Sequence, residues 1–116
     1  MSEWTLYYNP LCGTCRKTKE RLENRGVTPT VVEYLKKPPT AAELESILQK
    51  MGKGPEAITR MKEPLIENKG ISFDGLSRKD WLAVIAKHPI LLQRPIVVRG
   101  DRAVVARPPE NVDELL

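Results

Sequence analysis

One histidine, one phenylalanine and two cysteines are all that this sequence has of those residues, and each shortage removes a class of protein. Tetrahedral structural zinc needs four ligands. Cys12, Cys15 and His88, with no second cysteine pair, fall short of them, so no metal site is expected. No apolar run approaches the ~18 residues that a membrane span needs. The start, Met1-Ser2-Glu3-Trp4, lacks the basic segment and apolar core of a signal peptide, so the cytoplasm, away from membranes, is the expected location. Aromatic residues are only 5% and no basic block exceeds two residues. The net charge of +4 therefore reads as a solvated surface, and no direct contact with nucleic acid is expected. Heptads and large exposed apolar runs are also missing, which favours a monomer.

What is present fits one domain over residues 1–116, with 41% hydrophobic and 29% charged residues, enough for a real core. The informative stretch is Asn9-Pro10-Leu11-Cys12-Gly13-Thr14-Cys15-Arg16-Lys17, set between the apolar run Trp4 to Tyr8 and a helix-favouring run that ends at Gly26. Read as strand, loop and helix, it puts Cys12 just ahead of a helix N-terminus, where unpaired N–H groups and the helix dipole favour an anion. A thiolate is such an anion and is the reactive form of cysteine. Arg16 and Lys17 offer nearby cations. Cys12 is thus the candidate nucleophile, and Cys15, at C-x-x-C spacing one turn on, a candidate resolving thiol.

The rest of the chain divides clearly. A first strand, Trp4 to Tyr8, precedes a helix of about Gly13 to Arg25 whose inner side is Cys15, Thr18 and Leu22, and Thr30 to Tyr34 is a second strand. Thr40-Ala41-Ala42-Glu43 forms a capping box, and Leu44, Ile47, Leu48 and Met51 follow it at helical spacing. Gly52 to Gly70 reads as short helical turns with Arg60 near the end of the first. Ser77 starts another helix, with Trp81, Val84, Ile85 and His88 on one face until Pro89; His88 is read as structural rather than as a partner of Cys12. Ile96 to Arg99 and Arg102 to Ala106 flank the hairpin signal Gly100-Asp101. Pro109 to Leu116 can form a short helix that buries Val112 and Leu115 or Leu116. The order β-α-β, helical insertion, β-hairpin and helix predicts an α/β fold, a mixed β-sheet with flanking helices in a thioredoxin-like arrangement.

Several segments together resemble the glutathione- and glutaredoxin-coupled arsenate reductases along the whole chain. Tyr8 to Thr14 resembles their nucleophile loop, Tyr34 to Thr40 the entry to their second helix, and Arg60-Met61-Lys62-Glu63-Pro64 a further motif. His88 to Ile96 resembles their most recognisable segment and Arg107-Pro108-Pro109-Glu110 their last. The resemblance implies Cys12 as nucleophile, Arg60, Arg94 and Arg107 as oxyanion-binding arginines, Gly13 and Thr14 as structural members of the loop, and Pro95 as a cis-proline. It also implies arsenate or another small oxyanion as substrate, no bound cofactor, glutathione as co-substrate, and glutaredoxin as protein partner, with thioredoxin in its place where a Cys12–Cys15 disulfide forms.

Two positions depart from that pattern. Tyr8 stands where some members carry histidine, and Cys15 where serine is usual, which would permit a Cys12–Cys15 disulfide. The Cys15-Arg16-Lys17 continuation also resembles Spx-type transcriptional regulators, redox-sensing proteins that bind RNA polymerase. That is the alternative function, together with a glutathione-dependent thiol oxidoreductase acting on another substrate.

Overall fold

The computed structural model describes residues 3–116; Met1 and Ser2, read above as part of the chain's start, lie outside them. Strand β1 (Trp4–Tyr8), helix α1 (Gly13–Asn24) and strand β2 (Thr30–Glu33) come first, and β1 pairs with β2 in parallel, Thr5 opposite Thr30. Parallel neighbours need a crossover, and α1 supplies it. Strands β3 (Ile96–Arg99) and β4 (Arg102–Val105) form the expected hairpin, with Gly100 at φ 58° in its turn, and β3 runs antiparallel to β1. The sheet order is β2-β1-β3-β4, so the strand leading to Cys12 is held on both sides.

The side-chain alternation of β3 sorts the core into two layers. Ile96 and Val98 pack with Leu44, Ile47 and Leu48 of α2 (Ala41–Met51) and Leu82 and Ile85 of α4 (Arg78–Lys87), whereas Val97 packs with Trp4, Leu6, Leu22, Val112 and Leu115. Helices therefore cover both faces, as the mixed α/β expectation requires. Between α2 and β3 the insertion also carries 3₁₀ turns at Pro55–Ile58 and Pro89–Leu91 and the short helix α3 (Pro64–Asn68); another 3₁₀ segment, Pro109–Leu115, ends the chain. Arg78 grips Glu45 through Nε and Nη2 at 2.7 and 2.8 Å and ties α4 to α2, and Arg21 Nε reaches Asp113 Oδ1 at 2.9 Å, tying α1 to the last segment.

The caps are those the sequence signals. Thr40 Oγ1 accepts the Glu43 N–H at 3.1 Å, Ser77 Oγ accepts the Asp80 N–H at 3.1 Å, and Gly52 ends α2 in the left-handed region at φ 70°. Boundaries move by a residue in four places: α1 stops at Asn24, β4 at Val105, β2 at Glu33 and the last helical segment at Leu115. Tyr34 leaves the sheet because its ring turns into the core, where it is 1% exposed. The inner face of α4 also differs. Leu82 and Ile85 are its buried residues, while Trp81 sits at the rim, stacked on Phe73 at 4.6 Å and donating its Nε1–H to Thr59 Oγ1 at 2.8 Å.

Leu22 is the fully buried anchor of α1. Leu22→Ala is expected to cost about 2–5 kcal/mol of stability, the usual cost of a buried leucine truncation, seen as a lower denaturant midpoint at unchanged m-value.

Candidate active site

Cys12 is the N-cap of α1, with extended backbone at φ −94° and ψ 119°, and is 8% exposed. The loop before it is folded around Asn9. The Asn9 carbonyl accepts the Cys12 N–H at 3.0 Å, its Oδ1 accepts the Leu11 N–H at 3.0 Å, and Arg16 Nη1 closes the loop by donating to the Pro10 carbonyl at 3.0 Å. Burial alone would push the Cys12 thiol up. The Cys15 N–H and thiol and the Arg94 guanidinium outweigh it and bring the thiol down to about 7. Cys15 is fully buried and moves the other way, pushed up first by burial and further by its neighbour Cys12, with the Asn9 N–H and Arg94 only partly offsetting this. One sulfur is prepared as an anion and the other keeps its proton.

The cation acting on Cys12 is not one of the two adjacent in sequence. Arg16 is spent on the Pro10 carbonyl, and Lys17 lines a surface hollow with Glu20, Arg21, Asn24 and Arg25. Arg94, 82 residues away, takes that part because the antiparallel pairing of β3 with β1 brings the segment ahead of β3 to the Cys12 end of β1. Its peptide bond to Pro95 is cis, as the resemblance implied; the Arg107-Pro108 bond is cis as well, which nothing in the sequence reading anticipated.

Backbone hydrogen bonds tie the segments that carry the other two arginines to the segment that carries Arg94, although the cleft those two arginines line is bounded by neither Cys12 nor Arg94. The Arg60 N–H donates to the Leu91 carbonyl at 2.7 Å and the Gln93 N–H to the Ile58 carbonyl at 2.8 Å, forming a short bridge between Thr59 and Leu92. On the other side the Ala106 N–H donates to the Pro95 carbonyl at 2.9 Å, and Arg107 Nη1 to the Arg94 carbonyl at 3.3 Å. Arg60 and Arg107 thus line one cleft of about 410 Å³ together with Thr59, Glu63 and Gln93. Arg60 is not bare there, because Glu63 Oε2 pairs with its Nη1 at 2.9 Å. Arg94 Nε, by contrast, is buried without a hydrogen-bond partner among the described residues.

The remaining candidates have modest places. Thr14 offers its carbonyl to Thr18 Oγ1 at 2.8 Å, which satisfies that buried hydroxyl. A Cβ at Gly13 would lie 3.9 Å from Arg16 Nη2, an ordinary contact, so space alone does not demand glycine. His88 ends α4, its N–H shared between the Val84 and Ile85 carbonyls, and is not among the groups acting on Cys12. Tyr8 packs against the Trp4 and Leu6 layer. Among the described residues no group of three or more His, Cys, Asp or Glu side chains is placed to hold a metal ion, and no helix is long and apolar enough to cross a membrane.

Asn9 and Tyr34 are site residues that the sequence reading passed over as individual groups. The Tyr34 phenol, its ionisation opposed mainly by burial, meets the Asn9 side chain and lies close enough to Arg94, Cys15 and Cys12 to feel their charge. Both stand inside segments quoted for the resemblance. Their signal was a polar group at a strand end, which in the sequence looks like turn chemistry.

A cysteine of lowered pKa capping the first helix of a mixed sheet, with a cationic Arg-cis-Pro segment against it, is the arrangement of a thiol-based enzyme of the thioredoxin-like class. The family is then specific: the ArsC family model matches residues 7–115, and the chain belongs to the ArsC family. An arsenate reductase of Escherichia coli strain K12 is 39% identical over 116 residues, covering all of this chain and 82% of that protein. One from Neisseria meningitidis serogroup B is 38% identical over 117 residues, covering 100% of both. Among solved structures, an arsenate reductase from Vibrio cholerae superposes with a TM-score of 0.92 at 38% identity, covering 97% of each chain.

The alkylation rate of Cys12 should rise with pH around a midpoint of about 7, because only the thiolate reacts. Arg94→Gln removes a favourable charge, so the midpoint should move upward. An unchanged midpoint in that variant would take Arg94 out of the activation of Cys12.

Proposed function

We propose that this chain reduces arsenate to arsenite, with Cys12 as nucleophile and glutathione as co-substrate. The observation that carries the reading is a cysteine lowered to about 7 at the start of α1, with the Arg94 guanidinium beside it, whose buried Nε has no hydrogen-bond partner among the described residues. Similarity along the whole chain to proteins named arsenate reductase supports the choice of oxyanion.

A thiolate and an arsenate repel one another, so their approach needs cations that stay in place. Arg94 is already at the sulfur, and an oxyanion would occupy its Nε. Arg60 and Arg107, carried by the neighbouring segments, are the further planar forks that match tetrahedral oxygens. For Arg60 the anion competes with Glu63. The Cys12 sulfur attacks arsenic, a sulfur–arsenic bond forms, and one arsenate oxygen takes up protons and leaves as water. The thiol of glutathione then attacks the Cys12 sulfur. The sulfur–arsenic bond breaks with its electron pair staying on arsenic, which falls from pentavalent to trivalent, and the thiol proton ends on the departing arsenite. Glutaredoxin and a second glutathione restore the Cys12 thiol from its mixed disulfide. Such a cycle belongs in a reducing compartment, which agrees with the cytoplasm.

Arsenate should drive NADPH oxidation by the purified protein when glutathione, glutaredoxin and glutathione reductase are present, with Cys12→Ser as the blank. Arg94→Lys keeps a positive charge near the sulfur but loses the fork. It should raise the arsenate KM by roughly tenfold or more, the equivalent of one charge-assisted hydrogen bond, with the alkylation midpoint of Cys12 nearly kept. Turnover in the Cys12→Ser protein equal to wild type would refute the mechanism.

A further inference from the structure

Cys15 is the buried nucleophilic group that the cycle above leaves unused. It sits at the third position of α1 and is fully buried, while Cys12 stands just outside the helix in extended backbone. The N-cap and the third position of a helix are neighbours across its first turn, which puts the two cysteines side by side at the start of α1. The two thiols lie close enough for each to shift the ionisation of the other.

We propose that Cys15 is a resolving thiol, which lets one chain carry one arsenate to arsenite without any small thiol by closing a Cys12–Cys15 disulfide. The proposal rests on the arsenate reading of the site. Once the Cys12 sulfur is bonded to arsenic, Cys15 attacks that sulfur. The sulfur–sulfur bond forms as the sulfur–arsenic bond breaks, the electron pair stays on arsenic, and the Cys15 proton ends on arsenite. Both electrons of the reduction come from the two thiols, so no outside reductant enters the turnover. A dithiol protein reductant then reopens the disulfide.

Two features favour this step. The charge of the Cys12 thiolate helps to hold the proton on Cys15, and that charge disappears when Cys12 becomes bonded to arsenic. The Asn9 N–H and Arg94, which favour a Cys15 thiolate, stay where they are. Cys15 thus becomes easier to ionise at the moment when its attack is needed. A neighbouring thiol in the same turn also acts at an effective concentration well above that of a millimolar solute.

The test is a single turnover. Protein with both cysteines reduced is freed of small thiols and mixed with excess arsenate; arsenite released and thiols lost are counted, and the disulfide is sought by mass spectrometry. The proposal predicts about one arsenite and the loss of both thiols per chain, with the Cys12–Cys15 link present. It also predicts no arsenite from Cys15→Ser under these conditions, whereas glutathione and glutaredoxin give that variant measurable turnover, reduced by whatever the Cys15 thiol contributes to the ionisation of Cys12. Wild-type protein that releases arsenite only when glutathione and glutaredoxin are supplied would overturn the proposal and leave the arsenate reading standing. Wild-type protein that releases none in either condition would overturn both.

Discussion

The short segment from Leu91 to Pro95 is where the candidate site is assembled. Its backbone is bonded on one side to the stretch that carries Arg60 and on the other to the stretch that carries Arg107, and its own Arg94 acts on Cys12. Arginine side chains lose considerable rotamer freedom when fixed, so segments that carry three of them are best kept side by side by bonds between their backbones. The bonds at Leu91, Gln93, Arg94 and Pro95 hold them. The sheet order does the rest, because β3 lies beside β1 and β1 delivers Cys12.

The electrostatics of the two thiols follow from that assembly together with burial. Both sulfurs are withdrawn from water, which opposes the charged form of each. Cys12, at the open end of α1, receives enough compensation from Cys15 and Arg94 to ionise near neutrality, whereas Cys15, one turn deeper, receives too little. The same neighbourhood therefore favours an anion at one and a proton at the other of two identical groups three residues apart. Arg94, whose buried Nε has no partner among the described residues, and Arg60, balanced by Glu63, are likewise two arginines in different surroundings.

Much of this was legible in the sequence wherever a local rule applied. Capping residues Thr40 and Ser77, the Gly100 turn and the apolar spacing of α2 each encode their element within a few residues, and the mixed α/β order followed from them. Cys12 as an N-cap thiol was legible for the same reason. The cation that activates it was not. Arg16 and Lys17 are near in sequence, but geometry commits one to the loop and turns the other to the surface, while Arg94 arrives through strand pairing 82 residues away. The Arg60–Glu63 pair and the burial of Tyr34 beside Asn9 were equally out of reach, since each depends on which side of a turn the side chain takes.

The central claim is that an arsenate oxyanion binds at the Cys12 thiolate. The most direct measurement is the rate at which Cys12 is alkylated near pH 7 as arsenate is added, in Cys15→Ser protein, where Cys12 is the remaining thiol. Protection that saturates at or below roughly millimolar arsenate, the usual upper range for an enzyme's substrate, is the predicted result. An alkylation rate indifferent to arsenate throughout that range would contradict it.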